Sequence, residues 1–170
     1  MSFIDLAASR YSARSFEKTP VPDDKIALIL EAGRLAPTAC DNQPIGIIAV
    51  KSEEGLAKLR KCTECHFGAP LAFIVCCDKN VCWKRSFDGK QSGDIDASIV
   101  ATHMMLEAAD IGIGSTWVMY FIPDAVRTEF DLPENIDPVA ILVMGYPAGD
   151  CVPSKRHTQR KPLTELVKYE

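Results

Sequence analysis

Asp94-Ile95-Asp96-Ala97-Ser98-Ile99-Val100-Ala101-Thr102-His103-Met104-Met105-Leu106-Glu107-Ala108-Ala109-Asp110, running into Ile111-Gly112-Ile113-Gly114-Ser115, is the stretch that decides the fold. Its spacing predicts one long helix over 94–110. The apolar positions Ile95, Ile99, Val100, Met104, Met105, Leu106 and Ala109 spread around most of the circumference. A helix of that kind is buried on more than one side. In a small domain this places it between the core and a partner subunit, with His103 as a core or interface group. Gly112 is read as the helix stop. The G-x-G of Gly112 and Gly114 is no phosphate loop, because it follows a helix and leads into a strand, the reverse of the dinucleotide fingerprint.

Working outward, the same alternation recurs. A short helix is predicted over Phe3–Ala8. A second begins after Pro22, with Asp23 and Asp24 in its first turn and Ile26, Ile29, Leu30 and Gly33 on one face. Ile45–Val50 and Leu71–Cys77 read as strands flanking a small helix over Lys51–Lys61. After the long helix come a strand over Ser115–Phe121, a helix over Pro123–Phe130 entered through its proline, and a strand over Val139–Met144. Alternating strands and helices predict a sheet covered by helices on both faces. Periodicity leaves the strand directions open. The tail from Gly149 to Glu170 is polar, carries Pro153 and Pro162, and is too poor in core residues to fold back alone.

At 170 residues the chain suits one domain, able to bury roughly 70% of its unfolded surface. Its net charge of −4 gives no long-range pull toward nucleic acid or an anionic membrane. An anionic ligand must therefore be held by a local cluster of positive groups. The longest apolar run is about seven residues, Leu71–Cys77, far below the roughly 20 of a membrane helix. Met1–Leu6 has neither the basic start nor the apolar stretch of a signal peptide. A cytoplasmic location is expected. Seven cysteines, an odd number without such a signal, are expected to be reduced thiols.

Chemistry-bearing residues fall in a few places. Arg10-Tyr11-Ser12-Ala13-Arg14-Ser15 combines two guanidiniums with hydroxyls and backbone amides, the makings of a phosphate cradle. Lys155, Arg156, His157, Arg160 and Lys161 form a second basic cluster. Spacing alone leaves open that both are solvated surface charge. Ala36 to Pro44 is a loop of small and polar residues that can bring backbone close to a flat ligand or simply join a helix to a strand.

Cys62-Thr63-Glu64-Cys65-His66 matches the haem-attachment pattern C-x-x-C-H, but that chemistry goes with export, and the motif leads almost directly into a core strand. A metal site on Cys62 and Cys65 with Cys76 or Cys82 lacks a second C-x-x-C; Cys76 and Cys77, adjacent on a strand, point to opposite faces. No G-x-S-x-G elbow calls for hydrolysis.

Taken in order, Arg10-x-Ser12-x-Arg14, Ala36-Pro37-Thr38-Ala39, Gln43-Pro44, Phe67-Gly68-Ala69-Pro70, Asp94-Ile95-Asp96-Ala97, Gly112-Ile113-Gly114-Ser115-Thr116-Trp117-Val118, Gly145-Tyr146-Pro147 and Arg160-Lys161-Pro162-Leu163 resemble the FMN-dependent nitroreductase family in its short form. The resemblance covers nearly the whole chain. It implies an α+β fold, a single FMN-binding domain over 1–170 whose mainly antiparallel central sheet lies between helices. It also implies a homodimer with FMN at the subunit interface and residues 149–170 as an arm wrapped over the partner. Arg10, Tyr11 and Ser12 would hold the FMN phosphate with Arg160 and Lys161, and Arg14 would lie by the pyrimidine edge of the ring. Pro37, Thr38, Ala39 and Asp41 would reach the flavin of the other subunit. The backbone of Val118, Met119 and Tyr120 would face the ring's N5, which carries the hydride.

The implied activity is ping-pong transfer from NADH or NADPH to a small acceptor such as a nitroaromatic or quinone, with no protein acid–base and no metal. A non-catalytic flavin-binding protein is the alternative. Two departures from the family stand out: Asp41 where Asn is usual, and Ile45 where Trp is frequent. A carboxylate at that position would disfavour an anionic reduced ring and anionic substrates. Cys62 and Cys65 occupy the neighbourhood where longer relatives place polar flavin contacts.

Overall fold

The structure, a computed structural model, describes residues 2–170. Helix α1 (Phe3–Ser9) is closed at its start by a reciprocal pair, Ser2 Oγ accepting from Asp5 N–H and the Asp5 carboxylate accepting from Ser2 N–H. Helix α2 (Asp23–Arg34) follows Pro22. Strand β1 (Ile45–Val50), helix α3 (Glu53–Cys62), strand β2 (Leu71–Asp78), helix α4 (Gly93–Asp110), strand β3 (Gly114–Val118), helix α5 (Pro123–Glu129), strand β4 (Ile136–Gly145) and a short helix α6 (Leu163–Leu166) complete the order. Every element expected over 1–145 is present.

The four strands form one sheet in the order β1-β2-β4-β3, and all three pairings are antiparallel. Strand β2 explains why direction was illegible in the sequence. It is buried along nearly its whole length, so its period of two is hidden in an unbroken apolar run. The period is nevertheless there. Leu71, Phe73, Val75 and Cys77 enter one core with α2 and α4, through Ile26, Ile29, Val100 and Met104. Ala72, Ile74 and Cys76 enter the other with Leu56 and Leu59 of α3 and Val126 of α5. Helices thus cover both faces. Each large side chain that is fully buried, Phe73 or Leu142 for example, contributes about 1.5–3 kcal/mol of apolar burial.

Two expected boundaries move. The last strand begins at Ile136, not Val139, because a bulge between Val75 and Cys76 takes Pro138 into the ladder, the kind of irregularity that accommodates a residue without an N–H. The strand expected to reach Phe121 ends at Val118; Met119 and Tyr120 turn out to the surface. Helix α4 stops as expected. Gly112 has φ 78°, a left-handed conformation that suits glycine, and Ile113 N–H then reaches the Ala108 carbonyl at 2.7 Å.

Helix α4 turns Ala97, Val100, Ala101, Met104 and Ala108 into the core and lies so close to α2 that a Cβ on Gly33 would sit 2.9 Å from Met104 Cγ. Its other side, with Asp94, Ile95, Ser98, Ile99, Thr102 and His103, lines an open cleft. His103 is exposed rather than a core group, its Nδ1 2.9 Å from the Ile99 carbonyl of its own helix.

The cysteine reading needs one correction. Cys77 and Cys82 are paired, and Cys40, Cys62, Cys65, Cys76 and Cys151 are free. A turn in which Cys82 N–H bonds the Asp78 carbonyl at 3.0 Å folds Cys82 back onto the end of β2. Composition carries no information about such a turn. Among the described residues no helix is long and apolar enough to cross a membrane.

Candidate active site

The turn after α1 is held by the sheet. Ala13 N–H donates to the Ser115 carbonyl at 3.0 Å, and Thr116 Oγ1 donates to the Ala13 carbonyl. Its other end is tied by Ser15 and Glu17: the Ser15 carbonyl accepts from Ala148 N–H at 3.0 Å, and Glu17 N–H reaches the Tyr146 carbonyl at 2.8 Å. The start of the tail comes down on the same turn. Tyr11 Oη donates to the Cys151 carbonyl at 3.1 Å, and its ring meets His157 edge-on with centroids 6.3 Å apart.

Arg10, Tyr11, Ser12 and Arg14 therefore line one cleft together with Ser154, Arg156, His157 and Arg160. No carboxylate belongs to it. Among the described residues Arg34 pairs with Glu31, Arg60 with Glu53, Arg85 with Asp88 and Arg127 with Asp137. The four remaining arginines have no acidic partner within 4.0 Å among the described residues, and they are the four that meet in this cleft. Loss of water and the nearby charge of Arg160 lower the basicity of Arg10. Burial first, then Cys151, raises the Tyr11 phenol, which stays a protonated donor at neutral pH. Positive charge concentrated without a counter-charge, in a chain that is acidic overall, suits a phosphate dianion.

Of the residues expected here, Arg10, Tyr11, Ser12, Arg14 and Arg160 are gathered. Lys161 is not among the lining residues; its Nζ lies 4.0 Å from Glu165 Oε2. Ser154, Arg156 and His157 complete the set. The basic cluster of the tail marked two of them, but only the return of the tail onto Tyr11 selects which of its residues face the turn.

Pro37, Thr38, Ala39 and Asp41 lie elsewhere in the chain, with Thr38 in a different cleft beside Gln43 and Ile45. This loop is strained. Cys40, Asp41 and Gln43 have φ of 52°, 53° and 49°, a region that side chains other than glycine seldom enter. Two contacts hold it: Thr38 Oγ1 accepts from Gln43 N–H at 3.0 Å, and the buried carboxylate of Asp96 accepts from Ala39 N–H at 2.9 Å. Ser92 Oγ donates to the same carboxylate at 2.6 Å. The exposed Asp41 accepts from Gln43 Nε2 at 3.1 Å.

Strand β3 runs from the cradle, at Ser115, to buried Val118 and the exposed Met119 and Tyr120. At a strand rise of about 3.3 Å per residue, Met119 lies roughly 13 Å along from Ser115. Beyond it Phe121 N–H donates to the Met119 carbonyl at 3.1 Å, and Ile122 N–H to the Cys62 carbonyl at 2.9 Å. No hydrogen bond among the described residues takes up the N–H of Met119 or of Tyr120. A cleft of about 430 Å³ lies at Tyr120, lined by Arg60 to Glu64 and by Tyr120, Phe121 and Ile122. Cys62 is buried and its thiol is raised by that burial, and among the described residues no three metal-ligating side chains gather.

Comparison with known proteins gives a consistent result. Residues 7–70 and 66–146 match the model of the nitroreductase family. A protein of Methanothermobacter thermautotrophicus, provisionally named an NADH dehydrogenase/NAD(P)H nitroreductase, is 32% identical over 158 residues, which are 87% of this chain and 78% of that protein. The crystal structure of a nitroreductase family protein from Clostridium difficile superposes with a TM-score of 0.94 at 46% identity, covering 100% of this chain and 99% of the other. A second Clostridium difficile structure, that of an FMN-dependent nitroreductase, matches at 27% identity and a TM-score of 0.74 over 87% of this chain and 89% of that one.

Proposed function

The chain belongs to the nitroreductase family of oxidoreductases, and from that premise we propose that it binds FMN and catalyses electron transfer from NADH or NADPH to a small acceptor such as a nitroaromatic or quinone. The observation that carries this reading is the meeting of Arg10, Arg14, Arg156 and Arg160, all without carboxylate partners, in one cleft with Tyr11, Ser12 and Ser154. Of that set Arg10, Arg156 and Arg160 with the hydroxyls of Ser12 and Ser154 suit a terminal phosphate, leaving Arg14 for the ring.

Bound there, FMN supplies a ring able to accept a hydride from the nicotinamide and pass it on, the two substrates using one place in turn. The work of the protein is to hold and orient. Arg10, Arg160, Tyr11 through its backbone and the hydroxyl of Ser12 would take the phosphate, the Tyr11 hydroxyl being already given to the Cys151 carbonyl, while Arg14 would stand by the pyrimidine edge. The N–H groups of Met119 and Tyr120 would serve as donors to N5. On this reading no protein acid or base is required.

The site is completed by a second copy of the chain. The face of α4 with Ile95 and Ile99, and the exposed Leu163, Leu166, Val167 and Tyr169 of the tail, supply apolar surface for such a dimer. In it, Pro37, Thr38, Ala39 and Asp41 of one copy approach the flavin held by the other.

Purified protein reconstituted with FMN provides the test. Bands of bound oxidised flavin that bleach under anaerobic NADH or NADPH, and return on adding a quinone, are the expected result. Bound flavin that never bleaches would instead make the chain a flavin carrier. Absence of flavin binding would end the proposal.

A further inference from the structure

Thr63 lies just past the end of α3 and is 6% exposed. Its backbone N–H closes the helix on the Leu59 carbonyl at 3.2 Å. Its hydroxyl does something the helix does not need. Thr63 Oγ1 accepts from Cys65 N–H at 3.0 Å and donates to the Tyr120 carbonyl at 2.5 Å. With a lone pair engaged by Cys65, the hydroxyl proton is directed at Tyr120.

The peptide group joining Tyr120 to Phe121 is planar, and it is pinned at both ends. Its oxygen is held by Thr63 and its N–H by the Met119 carbonyl at 3.1 Å. Upstream, the chain is fixed by the pairing of Val118 with Ile141. Downstream, Ile122 N–H is tied to Cys62. Between these anchors the N–H groups of Met119 and Tyr120 have no hydrogen-bond partner among the described residues. A surface turn with exposed side chains would ordinarily rotate such groups toward water. Here the buried hydroxyl removes that freedom.

We propose that Thr63 is a positioning residue, whose hydroxyl keeps the Met119 and Tyr120 amides as a fixed pair of donors for N5 of the flavin. This rests on the FMN reading above. A preorganised donor does not have to be reoriented when charge moves at the atom it faces, which is where fixed dipoles gain over water. Thr63→Val keeps the shape and removes the donor; Thr63→Ser keeps the donor.

The test uses the protein loaded with 15N-labelled FMN. In T63V the N5 resonance is expected to move toward its position in the absence of hydrogen bonds, and in T63S to stay at the wild-type position. Flavin reduction by saturating NADH or NADPH should slow by about fivefold, the value of one ordinary hydrogen bond. The FMN Kd, set mainly at the distant cradle, should change less than twofold. If Thr63 only closed α3, T63V would melt earlier with N5 unmoved, and that outcome overturns the inference while leaving FMN binding intact. Failure of the wild type to take up FMN would overturn both. Should T63V not fold, amide exchange in the wild type decides: the Met119 and Tyr120 amides must be slowed by FMN, and equal exchange with and without it sinks the idea.

Discussion

Arg10 and Arg160, near opposite ends of the chain, line one cleft closely enough that the charge of Arg160 adds to desolvation in lowering the basicity of Arg10. Two cations brought together without a carboxylate cost free energy until an anion joins them. That relationship is what favours the proposed anion site over a solvated patch, because surface cations left to themselves separate or find acidic partners, as Arg34 does with Glu31.

Arg160→Ala should therefore weaken FMN binding by tenfold or more, given about 1.5–3 kcal/mol for a charge-assisted hydrogen bond. Arg34→Ala should leave it unchanged. Fluorescence titration of FMN against both variants checks this, and repeating it at higher salt should weaken the wild type most.

Asp96 is buried and accepts from Ala39 N–H and Ser92 Oγ, so it restrains the strained 40–43 backbone from the first turn of α4. Asp96→Asn is expected to lower stability by about 2 kcal/mol, the range for hydrogen bonds to a charged group. It should also speed exchange of the Ala39 amide. An unchanged Ala39 exchange rate would show that the carboxylate is not what holds the loop.

A Cβ on Gly114 would fall 2.7 Å from Pro147 Cγ and 2.9 Å from Ala13 Cβ, neither able to swing aside, whereas one on Gly46 would meet nothing within 4 Å. Gly114→Ala should cost about 1–3 kcal/mol and loosen FMN by shifting the turn that carries Arg10 and Arg14. Gly46→Ala should spare both properties. Thermal unfolding and flavin titration of the pair separate the two cases.

Cys76 is buried on β2, and burial pushes its thiol up to about 11 from an ordinary value near 9. The folded chain then holds this proton more tightly than the unfolded one. The stabilisation is complete below the unfolded pKa, near 9, and is lost as the pH rises toward the folded value. On the order of 2–3 kcal/mol is involved. Urea unfolding at pH 8 and pH 10.5 should show a steeper loss for wild type than for Cys76→Ala; parallel losses would mean the thiol is not responsible.

What the sequence determined by itself was local. The positions of helices and strands follow from apolar periodicity and from prolines, which act over a few residues, and so every element over 1–145 could be placed. Arg10, Ser12 and Arg14 were legible because they share one turn. The pairing of Val75 with Ala140, the folding back of Cys82 onto Cys77, and the choice of Ser154, Arg156 and His157 over Lys161 were decided only by the tertiary structure. So was the bond from Thr63 to the Tyr120 carbonyl. Each depends on where two distant segments meet, and a period of two or of 3.6 carries no record of direction or of partner.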